Sequence, residues 1–557
     1  MSVNLKCQAI VFLLVLVQML FTKDSQAQDQ TLGTLLNTSS AQNGYTLLAP
    51  SLSRTTYLVD NCGLLINSWQ SQYRPGAVAY LLENGSLLRT GSVPGGFSGG
   101  GRGGIVEIYN WEGELIWSYH IADENHHQHH DVEALPNGNI LVLAWEHISV
   151  AEAKMIGVER ELSSLGLWPD KVMELKPIGN DSAELVWDWH IWDHLIQDKD
   201  STLGTYGVIS EHPELVDMNL NFGGGLTGSP DWNHCNALDY NPQLDQIIVN
   251  SRNFGEFWVI DHSTTIAESA SHNGGNAGKG GDILYRWGNP RIYQRGDEED
   301  QVFSGQHAAY WIEYGEDKGK IMVFNNGTNR GYSSIDVLDP PIDSNGDYVL
   351  ENDKPYGPEK LFWTYDKFNG GIDFSVGRVS NAERLANGNT LITNGQTGYV
   401  WEVGENKQIV WEYQNPVGSQ PLPQGTIATG NSIFRTYKYP EFYPAFQNRD
   451  LTPDEPIELN PFGNPCIIFT TATNDENLEL STKVFPNPVQ EFLYLNTNYS
   501  QRSILEIYNI NGVKAAEFNL TAFDNRVDVS TLDSGFYILN IKTEKNQTIS
   551  AEKIIKL

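Results

Sequence analysis

The sequence predicts an all-β fold, a six-bladed β-propeller closed between its N- and C-terminal strands and followed by a small C-terminal β-sandwich. Three observations predict it: an aromatic motif that recurs six times, hairpin-like units between its copies, and a change of texture near residue 478.

In the motif, two or three apolar residues precede an aromatic, any residue and a second aromatic. Its copies end on Trp69, Tyr119, Trp189, Trp287, Tyr365 and Tyr413, and only the first departs from the pattern, with Asn67 in the first aromatic place. A motif at roughly regular spacing is the mark of a repeat architecture, in which one supersecondary unit cannot bury its apolar faces alone. Before the five later copies lie units made of an apolar run, a polar turn and a second apolar run: 78–88, 132–143, 237–249, 308–323 and 382–392. Asn84-Gly85, Asn137-Gly138 and Asn387-Gly388 supply turns that tolerate positive φ. Each hairpin unit plus its aromatic unit makes about four strands, which is one propeller blade.

The copy at Trp69 has no hairpin unit before it, and the segment 425–439 is a hairpin unit with no aromatic unit after it. Joining the two completes the sixth blade and brings the chain ends together; an open β-sandwich array is the alternative. The predicted boundaries are a signal peptide at 1–27, the propeller at 28–470 and the separate β-sandwich at 478–557. In the leader, Lys6 precedes an apolar stretch from Ala9 to Phe21 and a small-residue exit at Ser25-Gln26-Ala27. No later apolar run approaches the length a membrane span needs.

The formal net charge is −33, so long-range repulsion weighs against a nucleic-acid partner, and the surplus acidity reads as solvated surface. Without the leader and its Cys7, the cysteines are Cys62, Cys235 and Cys466. They lack the spacing of a zinc site. A Cys62–Cys466 disulfide would lie near the closing seam, leaving Cys235 as a buried free thiol.

The chemistry concentrates on three histidines. His130, His234 and His307 each stand eight residues before a turn residue, Gly138, Pro242 and Gly315, so consecutive blades carry histidine at one repeat position. Elsewhere that position falls on Ala77, Ser380 and Leu422. Blade-lining strands converge on the axis, so the imidazoles should meet there. Three imidazoles can form a catalytic zinc site with an open fourth position. They can also supply a neutral nucleophile with charged helpers. Asn236 shares a strand face with His234 by the period of two and offers a neutral donor; Arg252 offers a fixed planar cation. A guanidinium opposes a metal cage and suits an anionic group in transfer. His126, His127 and His129 are read as loop residues, and Asp131 and Glu133 as carboxylates of a loop or strand edge.

The stretches 129–139, 231–239 with Ser251-Arg252-Asn253, 303–307 and 381–391 resemble the bacterial arylsulfate sulfotransferases, with likeness running from about 45 to 445. The resemblance implies ping-pong transfer of a sulfuryl group from a phenolic sulfate ester to a phenolic acceptor, without a nucleotide donor or other cofactor. His307 would form a sulfohistidine, while His130, His234, Asn236 and Arg252 would hold the sulfuryl oxygens and assist the phenols. The phrases Phe485-Pro-Asn-Pro488, 505–512 and 534–539 resemble the C-terminal sorting domain of proteins exported by the type IX route in Bacteroidetes. That implies the type IX machinery as a partner and a secreted or cell-surface location. Two other readings stay open: a non-enzymatic surface propeller that binds sulfated or aromatic ligands, and a three-histidine metal-dependent hydrolase or lyase.

Overall fold

The computed structural model describes residues 30–220, 229–344, 346–368, 372–462 and 466–469, then 482–485, 488–490, 492–497, 503–509, 513–520, 524–543 and 548–557. The expected signal peptide lies outside the described residues. The chain divides into two compact units, Met1–Phe469 and Thr470–Leu557.

The first unit is all-β apart from short helical turns. Among the described residues it contains six antiparallel sheets of four or five strands. One edge strand of each faces its counterparts: β1 (Pro75–Leu81), β2 (His126–Ala134), β3 (Cys235–Asn241), β4 (His307–Trp311), β5 (Asn381–Arg384) and β6 (Ile433–Pro440). Each touches the next in order, and β6 touches β1. The series of contacts therefore closes on itself.

Middle strands pack between neighbouring sheets and are buried on both faces, which explains why they read as unbroken apolar runs instead of alternating. In Gln246–Ser251 every residue is buried, and the same holds for Ile321–Asn325.

The recurrent aromatic motif lies on the strands far from the ring of β1–β6. Its indoles reach across to the next sheet. Trp69 Nε1 donates to Asn110 O at 2.9 Å, Trp117 Nε1 to Ser182 O at 2.9 Å, and Trp187 Nε1 to Thr264 Oγ1 at 3.0 Å. Trp287 Nε1 donates to Pro358 O at 3.1 Å, and Trp411 Nε1 returns to Asn61 O at 2.8 Å. Trp363 instead meets the Arg384 and Lys407 cations, 4.7 and 5.4 Å from its ring centroid. The motif recurs because each copy ties its own sheet to the following one.

The seam differs from the expected two-plus-two arrangement. β6 alone pairs with Gly44–Pro50, which continues through Thr55–Asp60 to Leu65–Gln70. The C-terminal side thus gives one strand and the N-terminal side three, because 425–432 forms no strand. A further segment, Gly33–Asn37, pairs with Ile409–Gln414 as a fifth strand of the last sheet. Cys62 and Cys466 are disulfide-bonded beside these pairings, and Cys235 is a buried free thiol.

In the second unit, a sheet of Thr482–Phe485, Phe492–Thr497 and Asp524–Asp528 accompanies a four-stranded sheet running from Lys514–Leu520 to Thr548–Lys556. Leu493, Leu495 and Val527 of the first share one apolar core with Leu505, Ile507 and Leu539 of the second.

Candidate active site

The facing strands are irregular where they begin. Pairing with the second strand slips between Pro75 and Ala79, near His129–Asp131, between Cys235 and Leu238, and between His307 and Tyr310. A bulge of this kind re-aims side chains. His130 and His234 themselves take left-handed backbone, at φ 52° and 48°, and beside His307 that conformation falls on Ala308. Such backbone in residues with side chains is uncommon and marks a site held by its surroundings.

The slips bring the expected residues together. The His130 and His234 rings meet edge to face at 4.8 Å between centroids, and Phe434 of β6 lies 5.6 Å from His130 and 6.2 Å from His307. Leu422, given the repeat position in the blade that closes the ring, sits instead in a loop, where its N–H donates to Pro416 O. The residues that β6 presents are Phe434 and Arg435.

His307 is 2% exposed. Its Nδ1 lies 2.7 Å from Asn326 Oδ1. Asn326 Nδ2 donates to Val376 O at 2.7 Å and to Val379 O at 3.1 Å, which fixes the amide and leaves its oxygen for His307. Nδ1 therefore carries the hydrogen and Nε2 the lone pair, onto which the Val379 N–H donates at 3.2 Å. Burial, then the Arg252 guanidinium, hold the His307 pKa well below the ordinary histidine value. The imidazole is neutral.

His234 Nδ1 lies 2.6 Å from Asp231 Oδ2, and Trp145 Nε1 donates to the other oxygen at 3.1 Å. Burial pushes Asp231 up, but His234 outweighs it and the carboxyl ends below its usual range. His130 is buried, and burial followed by its neighbour His234 pushes its pKa far down.

Two expectations need correction. His126, His127 and His129 are not loop residues but belong to β2. His129 is 0% exposed, stacks on Trp145 at 4.0 Å, and sets its Nδ1 2.8 Å from His130 Nδ1 and its Nε2 2.6 Å from Asp170 Oδ1. It backs His130 because the bulge turns consecutive side chains toward one another. Asp131 does lie on an edge strand, as expected, but it is buried. It accepts from Tyr80 of β1 at 2.6 Å, from the Leu238 N–H of β3 at 3.1 Å and from Arg435 of β6 at 2.6 Å, linking four facing strands. Asn236 is turned into the fold: its Nδ2 donates to Gln306 O at 2.9 Å and its Oδ1 accepts from Asn250 at 2.6 Å. It braces the residue before His307.

Sequence reasoning missed Asn326, Arg435, Asp231 and a glycine-rich loop. Gly101, at φ 71°, carries the carbonyl that accepts the His130 N–H at 2.7 Å, and a Cβ there would collide with the His130 ring. The run of seven glycines within 95–104 was a signal that the chain approaches something closely.

The His130 and His307 imidazoles, the latter with its lone pair fixed, near a guanidinium make an arrangement that can receive an anionic, oxygen-rich group. The Arylsulfotransferase (ASST) family profile matches residues 41–427, and the chain belongs to that family. A secretion-system C-terminal sorting domain matches residues 483–556, which marks the protein for type IX export to the cell surface or beyond. No helix among the described residues is long and apolar enough to cross a membrane. No curated protein sequence matches the chain significantly.

Among solved structures, the chain is similar to a protein of unknown function from Bacteroides caccae, at 11% identity and a TM-score of 0.39, covering 72% of this chain and 99% of that one. It is also similar to a periplasmic gluconolactonase from Pseudomonas aeruginosa, at 11% identity and a TM-score of 0.36, covering 70% and 98%. A virginiamycin B lyase from Staphylococcus aureus is similar at 10% identity and a TM-score of 0.30, covering 70% and 90%.

Proposed function

We propose that the protein is an exported, nucleotide-independent aryl-sulfate sulfotransferase working by a ping-pong route through sulfohistidine at His307. Its catalytic domain is a six-bladed β-propeller at 28–470, and a β-sandwich at 478–557 is its sorting domain. The closed series of contacts from β1 to β6 supports the propeller. The observation that carries the mechanism is the tautomer of His307: Asn326 pins Nδ1–H and leaves the Nε2 lone pair for attack.

In the first half-reaction, His307 Nε2 attacks the ester sulfur. The N–S bond forms, the S–O bond to the aryl group breaks, and the electron pair leaves with the phenolate. Attack displaces the Val379 N–H from Nε2 and leaves that donor facing the sulfuryl oxygens beside the Arg252 guanidinium. Donors fixed before the charge arrives are the largest contribution to such transfers. In the second half-reaction the acceptor phenol attacks sulfur and gives its proton to His234 Nε2, whose Nδ1–H points at Asp231, and His234 hands that proton to the phenolate departing in the next first half-reaction. The N–S bond breaks and His307 is restored. Asn236 and Arg435 act as positioning residues, holding β3 against its neighbours.

A metal cage is the weaker reading. Among the described residues, three ligand atoms gather within 4.8 Å only at His194, His272 and Asp282, outside this trio.

The test is to add an aryl sulfate without acceptor and digest the protein. The peptide holding His307 should gain the mass of one sulfuryl group, and a phenol should then remove it. His307→Ala should show neither the adduct nor turnover; full turnover in that variant would sink the assignment.

A further inference from the structure

At the rim of the sheets, His194 stands just after the three-residue turn Ile191–Asp193, and His272 and Asp282 flank a glycine-rich loop after the short helix Ile266–Ser269. The Nδ1 atoms of both histidines lie 2.8 Å from one oxygen, Asp282 Oδ1.

The other nitrogen of His194 decides what this means. Nε2 lies 2.8 Å from the carbonyl oxygen of Ser269. A carbonyl only accepts, so Nε2 carries the hydrogen. A neutral His194 then turns its Nδ1 lone pair onto a carboxylate oxygen, and two acceptors at that distance repel unless a positive charge joins them. A single proton on Nδ1 would join only that nitrogen to the carboxylate, whereas three ligand atoms converge here, all within 4.8 Å of one another. A metal ion satisfies all three ligand atoms at once. An imidazole that binds metal through one nitrogen and donates its other N–H to a backbone carbonyl is the usual support of a ligand histidine.

We propose that His194 Nδ1, His272 Nδ1 and Asp282 Oδ1 bind one divalent cation of the zinc type, with water as a fourth ligand. Two imidazoles and one carboxylate match that ion, whereas calcium and magnesium prefer all-oxygen shells. Bonds of about 2.0–2.1 Å in a tetrahedron separate ligand atoms by about 3.3 Å, so each nitrogen would move roughly half an ångström from Asp282 Oδ1, and the two nitrogens already lie within 4.8 Å of one another. His272, whose side chain is 60% exposed, can make that adjustment.

The surroundings are built to hold the cluster. The Trp189 ring stacks on His194 at 5.8 Å with an interplanar angle of 7°, and its Nε1 donates to Gly281 O at 2.7 Å. Gly281 N donates to Ser271 O at 3.0 Å and Gly280 N to Gly274 O at 2.9 Å, closing the loop on itself. A Cβ on Gly281 would press on both Ser269 O and His194 Nε2, so only glycine lets the loop pass so near. The bound ion would clamp the last connection of the sheet that holds β3 to the turn that leaves the sheet that holds β2.

Chelator-treated, full-length secreted protein is given one equivalent of Zn2+ and desalted, and its metal content and thermal midpoint are measured. Cobalt(II) replaces zinc in a parallel sample to report tetrahedral absorption. One retained zinc per chain and a raised midpoint are expected, both lost in His272→Ala and in Asp282→Asn and both kept in His307→Ala. His272 is exposed enough that its loss should not prevent folding. Equal retention in wild type and His272→Ala, loss in His307→Ala, or no retained zinc with an unmoved midpoint would each overturn the proposal.

Discussion

The facing strands carry opposite chemistry at their two ends. Near their starts stand His130, His234 and His307 with Arg252; further along, or just past the strand, come Glu133, Asp239, Glu313 and Glu383. Between them lies the ion pair of Arg435 with Asp131. Burial acts on both ends. It pushes His130 and His307 down and Glu133, Asp239, Glu313 and Glu383 up. The shifts have opposite sign and the same result, because low dielectric disfavours whichever form is charged. At one end the shift favours free lone pairs; at the other it favours the uncharged form of the carboxyls. Arg252 adds a guanidinium whose field reaches His307.

The sharpest way to break this contrast is to remove that charge. Arg252→Ala should lower kcat/KM for the aryl sulfate by about 10²–10³, the usual consequence of losing one fixed donor to a developing anion. Arg252→Lys should recover only part of it, since a lysine lacks the planar fork. A loss below threefold in steady-state kinetics would assign the charge stabilisation elsewhere.

A smaller effect should follow at Asn326. In wild type burial and Arg252 hold the His307 pKa well below the ordinary histidine value of about 6.5, so the acid limb of kcat/KM should lie under that value. Asn326→Asp places a carboxylate at Nδ1–H, which favours the imidazolium and should move that limb to higher pH, while Asn326→Ala should cost about tenfold through lost orientation. An unmoved limb in the aspartate variant would remove Asn326 from the site.

The smallest effect belongs to the acidic end. Burial raises the Glu383 pKa to about 8, above the value of about 4.3 in an unfolded chain. A raised carboxyl contributes stability that is complete below the unfolded value and is lost as pH climbs through the folded one. Between pH 5 and 8 the thermal midpoint should therefore fall more steeply in wild type than in Glu383→Gln, by about 1–2 °C. Parallel curves in calorimetry would show that Glu383 titrates as if free.

The sequence disclosed what repeats. The aromatic motif, the turns, and the spacing of His130, His234 and His307 follow from a pattern that one chain displays many times over. What stayed hidden lies across strands or comes from single exceptions. Asn326 meets His307 only because β4 folds back on Ile321–Asn325, and nothing in their separation announces it. The apolar stretch Gly33–Asn37 has no repeat partner, so its place beside Ile409–Gln414 emerges only from the pairing. His129 was misread because a bulge breaks the alternation that a strand would otherwise impose. His194 and Asp282 are 88 residues apart and join only through the turn and loop that carry them.

The pairing of β6 with Gly44–Pro50 sets an order of events during export. A chain that emerges N-terminus first can assemble five sheets before Pro440 appears, while Gly44–Pro50 waits with an unpaired edge. Until then that edge is open to pairing with another molecule, the hazard common to exposed strands. The distance along the chain between these partners therefore makes release of the last strand, and not the folding of any one sheet, the moment at which the enzyme becomes safe from aggregation.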